Sequence, residues 1–109
     1  MTTINQIEIS TCKGRKIISL DNIIRIQANS NYSKIFLQNE YPITVAKVLR
    51  RFEQELSDED FCRISRGDLI NKSFINNLTN KNCITLTTGE IFKISRRRTG
   101  INYKLKQSA

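Results

Sequence analysis

Three short segments mix cations with hydrogen-bonding side chains: "NSNYSK" at residues 29–34, "SRGD" at 65–68 and "SRRR" at 95–98, with Arg63 just ahead of the second. An arginine fork bonds two acceptors of guanine and an asparagine amide matches adenine, while serine and lysine suit phosphate oxygens. That chemistry fits a nucleic acid. It would draw on Asn31, Ser33, Lys34, Arg63, Arg66, Asp68, Arg96, Arg97 and Arg98. An anionic membrane would instead favour cations beside exposed aromatics on an amphipathic helix. Each segment also has a plainer reading. Tyr32 opens a strand and suits half-buried packing, Arg63 can lie across a sheet, and a lone arginine run is commonly a solvated cluster. Recurrence at three strand ends favours binding.

Charge supports this choice. The formal net charge is +8, yet residues 1–60 hold eight Lys/Arg against eight Asp/Glu. Residues 61–109 hold ten Lys/Arg and only Asp68 and Glu90, so the whole excess lies there. Clustered positive charge favours a polyanion, against the alternative of a merely solubilising surface. Catalysis lacks its parts. No histidine is present, and neither a GxGxxG nor a Walker pattern occurs among four glycines. Asp58 and Asp60 have no accompanying base, nucleophile or metal ligand, so the expectation is a non-enzyme without cofactor or metal. Cys12, Cys62 and Cys83 are scattered, lack metal-ligand spacing, and read as small hydrophobes in or near strands. No apolar run spans a bilayer and the N-terminus lacks a signal-peptide pattern. A cytoplasmic protein without a membrane or small-molecule partner is expected.

Strands must position these segments. With 109 residues, 39% of them hydrophobic and 26% charged, the chain suits one globular domain. Alternation at Ile7 and Ile9, the runs "KIISL", "NIIRIQ" and "SKIFLQ", and a strand at 62–65 all read as β. A hairpin over 83–95 turns at Thr88-Gly89, with Ile84 and Leu86 facing Phe92 and Ile94. Val45, Val48, Leu49, Phe52 and Leu56 repeat with helical spacing, predicting one amphipathic helix over about 45–56 capped by Thr44. A short helical turn is expected at about 71–76 and a loop at "NLTNKN". The fold class is therefore mainly β, with short antiparallel sheets. Residues 1–98 form the expected domain and 99–109 a basic C-terminal tail.

The series "DNIIRIQANSNYSKIFL", a helix, "FCRISRGDLINKSFI" and "ITLTTGEIFKISRR" resembles the LytTR DNA-binding domain of bacterial response regulators, over about residues 4–98. Gln27 stands where the family often has Glu, and Gly67 where many members have Ser. The resemblance implies a LytTR-like, mostly β fold whose loops, rather than a recognition helix, enter successive major grooves. It also implies base contacts from Ser33 or Lys34, from Arg66 and from Arg96, with Arg63 supporting its strand or reaching a phosphate. The expected partner is double-stranded DNA carrying two repeated half-sites, with a possible homodimer on it. The expected role is an output domain for transcription regulation in a two-component system. The family's usual receiver or sensor is not seen in the chain, which therefore reads as a standalone domain. The alternatives are a protein–protein module whose basic face meets an acidic partner, and an RNA binder.

Overall fold

In a computed structural model, which describes residues 6–78 and 82–95, period-two patterning yields ten strands among the described residues. Strands β1 (Gln6–Thr11) and β2 (Gly14–Ser19) form an antiparallel hairpin, closed at Gly14, whose φ of 111° suits a residue without Cβ. Their inward residues Ile9 and Ile18 are buried. The largest sheet contains β3 (Ile23–Asn29), β4 (Tyr32–Leu37), β5 (Ile43–Val45), β6 (Phe61–Arg63) and β7 (Asp68–Asn71). Its order is β5-β4-β3-β7-β6, with every neighbour antiparallel. Strands β8 (Ile75–Leu78), β9 (Cys83–Leu86) and β10 (Ile91–Lys93) form a third antiparallel sheet in the order β10-β9-β8. The mainly β expectation holds.

The central sheet is covered on both faces, which explains its near-continuous apolar runs. Neighbours along one strand enter different cores. Phe61 and Leu69 join a cluster with Ile9, Ile18, Leu49 and Phe52, while Cys62 and Ile70 join Ile64, Ile84, Leu86 and Ile94. The first core lies beneath the β1–β2 hairpin and helix α1 (Leu49–Glu55), and the second beneath the three-stranded sheet. Phe52, 1% exposed, anchors the helix.

Several local expectations are corrected. The helix begins at Leu49 rather than near 45, because Val45 is paired in β5 opposite Ser33, and its N-cap is Val48 without a side-chain cap. Pairing across β4 outweighs helical periodicity at Val45. The helical turn contracts to a 3-10 turn at Lys72–Phe74, after which Ile75–Leu78 form β8 where a helical turn and loop were expected. Asn71 fixes that boundary. Its Oδ1 accepts from the Ser73 N–H, while its Nδ2 donates to the carbonyls of Leu20 and Ile23. The β9–β10 hairpin matches its expectation, with Phe92 opposite Ile84 and Gly89 at a φ of 97°. Cys12 is exposed in the β1–β2 turn rather than packed, whereas Cys62 is buried and Cys83 intermediate. The helix is too short to cross a membrane.

Candidate nucleic-acid interface

Antiparallel pairing sends the first two singled-out segments toward one end of the central sheet. Strand β3 finishes at Asn29 where β4 begins at Tyr32, and β6 finishes at Arg63 near where β7 begins at Asp68. Because β3 pairs with β7, the turns after β3 and after β6 are neighbours. Backbone bonds tie them together: the Ala28 N–H donates to the Gly67 carbonyl at 2.9 Å, and the Ile64 N–H to the Asp68 carbonyl at 3.1 Å. The third segment joins through Ser95, whose N–H donates to the Ile64 carbonyl at 2.9 Å. Arg96, Arg97 and Arg98 follow Ser95 in the chain and lie outside the described residues, as does the 99–109 tail.

Within this end the side chains divide into occupied and available groups. Arg63 is occupied. Its Nε donates to the Ser65 carbonyl, Nη2 to the Arg66 carbonyl and Nη1 to Glu53 Oε1, each at 2.8 Å. A planar fork with donors on several sides can hold a turn and a helix together, which an ammonium cannot reproduce. The support role for Arg63 fits these bonds, which leave its guanidinium no evident freedom to reach a phosphate. Asp68 is also turned inward: Ser65 Oγ donates to its Oδ2 at 3.1 Å, and the Gly67 N–H donates to Ser65 Oγ. Ser33 is fully buried with its hydroxyl donating to the Lys47 carbonyl, so it joins strand to helix connection and presents nothing outward. The alternative position, Lys34, is half-buried with Nζ 5.5 Å from the Phe36 ring centroid.

The available groups are Arg66 and Asn31. Both are exposed, and neither side chain bonds to a partner among the described residues. Tyr32 beside them is 50% exposed, more open than a packing residue would be.

One residue of this region escaped the sequence reading. Arg25, 7% exposed in the middle of β3, stacks 3.7 Å from the Phe36 ring centroid and 4.9 Å from that of Phe92. Its Nη2 bonds Glu90 Oε2 at 3.0 Å, and Nη1 lies 3.9 Å from Asp68 Oδ1. Arg25 therefore joins the central sheet to the β9–β10 hairpin and sits against the carboxylate that organises the Arg66 turn. A charged residue in the two-sided strand "NIIRIQ" was its only signal, since Glu90 lies 65 residues away in sequence.

Known proteins bear on this arrangement. The model of the LytTr DNA-binding domain family matches residues 13–100. The chain belongs to that family. A solved LytTr DNA-binding domain, from a Bacillus cereus protein assigned as a methyl-accepting/DNA response regulator, superposes with a TM-score of 0.77 at 18% sequence identity. The match covers 95% of this chain and 98% of that one, so the LytTr fold is shared throughout. No curated protein matches the sequence significantly. Among the described residues, no group of three His, Cys, Asp or Glu side chains is placed to hold a metal ion.

Proposed function

We propose that this LytTr domain recognises a specific duplex DNA sequence through its loops, as the output domain of a bacterial response regulator acting on transcription. The supporting observation is the gathering of the 30–31 turn, the 64–67 turn and Ser95 at one sheet end, with the Arg66 side chain exposed and uncommitted. Arg66 and Arg96 read base edges in the major groove, and Asn31 and Lys34 flank them. Arg97 and Arg98, two positions or fewer beyond Arg96, hold phosphate. Arg63, Asp68 and Ser33 shape this surface from behind. Two repeated half-sites, each taking one copy of the domain, would supply the affinity that one small module lacks. The compartment is the cytoplasm, where the DNA is.

Selection from a random duplex pool tests the reading. An enriched motif, present as a repeat, is the expected result. With roughly four to six phosphates neutralised, log affinity should fall with log salt at a slope of about −4 to −5. A slope near zero, or preference for single-stranded RNA or an acidic protein over every duplex, would sink it. Alanine at Arg98 should weaken all duplexes equally and make the slope shallower by about one.

A further inference from the structure

Helix α1 carries cations that neither the turns nor the strand ends account for. Leu49 and Phe52 face the core, so Arg50 and Glu53, three residues apart, share one flank of the helix. Glu53 locates that flank: its carboxylate holds Arg63 at 2.8 Å, and Arg63 in turn holds the carbonyls of Ser65 and Arg66. Arg50 is one helical turn nearer the helix start. The helix starts at the same sheet end as the turns, since Ser33 Oγ donates to the Lys47 carbonyl just ahead of it. Arg50 is exposed and its guanidinium has no partner among the described residues. Lys47, by contrast, is engaged with Glu55 at 2.8 Å. A long unpaired cation therefore lies on the helix flank that Glu53 and Arg63 link to the 64–67 turn.

We infer that Arg50 extends the DNA-binding surface onto the helix flank, contacting a backbone phosphate beside the groove that the 64–67 turn enters. This rests on the proposed DNA reading and adds a contact made by no loop. Its role is anchorage rather than discrimination, because a phosphate carries no sequence. Lys13, exposed in the β1–β2 turn, lines a cleft with Asn39 and Glu40 at the opposite sheet end and is a charge-matched comparison.

The experiment titrates the selected duplex and a scrambled duplex at several salt concentrations, using the wild-type chain, Arg50→Gln, Arg50→Lys and Lys13→Gln. Arg50→Gln should weaken both duplexes by a similar factor, roughly three- to tenfold, and make the salt slope shallower by about one. Arg50→Lys should keep the slope, and Lys13→Gln should move neither quantity by as much. The inference is overturned if Arg50→Gln binds as wild type does, if its loss is confined to the selected duplex, or if Lys13→Gln matches it. A wild-type slope near zero would instead overturn DNA binding itself, whatever Arg50 does. Should Arg50→Gln lose its fold, Arg50→Lys still decides: a slope changed despite the retained charge counts against a phosphate contact.

Discussion

At one end of the central sheet, where β3 passes into β4 and β6 into β7, the exposed side chains include Asn31, Tyr32 and Arg66, and Arg50 is exposed near the start of α1. The acids there, Glu53 and Asp68, are engaged with Arg63 and Ser65. At the other end, charges of both signs are exposed together. Lys16 pairs with Glu40 at 3.3 Å, and Asp21, Asp58, Glu59 and Asp60 stand in the connecting turns. The first end holds tight turns between antiparallel strands, whereas the other also holds the 3-10 turns Leu20–Asn22 and Lys72–Phe74 and the connection from α1 to β6. The contrast also lies in the acids, which are held inward at the first end and stand exposed at the other. A pairing of exposed charges contributes little to stability, roughly 0 to 1 kcal/mol, but it removes a cation from service to any ligand. The end whose acids are already engaged is the end equipped for a polyanion.

The largest perturbation should spare this contrast. Phe52→Ala removes a fully buried side chain from the first core, and urea unfolding should show a loss of roughly 3 to 5 kcal/mol. At temperatures where the variant remains folded, its preference among duplexes should be retained. A stable Phe52→Ala protein that no longer discriminates between sequences would place the helix, not the turns, at the centre of recognition.

Arg66→Ala addresses the exposed end directly. Affinity for the selected duplex should fall by roughly 1 to 3 kcal/mol and preference should relax at one or two base pairs, with melting nearly unchanged. The matching change behind it, Arg63→Lys, keeps the charge but cannot span two carbonyls and a carboxylate. It should lower discrimination as Arg66→Ala does, measured as the affinity ratio between selected and scrambled duplexes. Full discrimination in Arg63→Lys would mean that the turn holds its shape without the fork.

The smallest effect belongs to the mixed end. Glu40→Gln frees Lys16, so stability should change by no more than about 1 kcal/mol and duplex affinity should stay the same or rise slightly. A rise comparable to the Arg66→Ala loss would erase the distinction between the two ends.

The sequence was most informative where periodicity acted alone. The strands β2, β3, β4 and the β9–β10 hairpin follow from alternation and a turn glycine, and the helix core face follows from the 3.6-residue repeat. It was misleading where partners distant in the chain decide. Val45 has helical spacing but is claimed by Ser33 on β4. Ile75–Leu78 carries two asparagines and lacks strand character, yet pairing with β9 makes it β8. The candidate site divides in the same way. Arg66 and Arg63 are sorted into presented and supporting by the resemblance to the LytTR family. Ser33 could not be known as buried, because its acceptor is a carbonyl in the connection to the helix. Arg25 could not be matched to Glu90 and two aromatic rings until the sheets were stacked.

That Arg25 stack has a consequence for distance. Its guanidinium is wedged between an aromatic ring of the central sheet and one of the third sheet while bonded to Glu90. The Arg66 turn and Ser95 are therefore tied to one another through the two stacked sheets. On the proposed reading, the domain works as a fixed-gap caliper. Inserting one base pair between the positions touched by Arg66 and Arg96 moves them about 3.4 Å apart along the axis and turns them by about 35°. A hinged pair of sheets could follow that change, but the pinned pair must release one contact to keep the other.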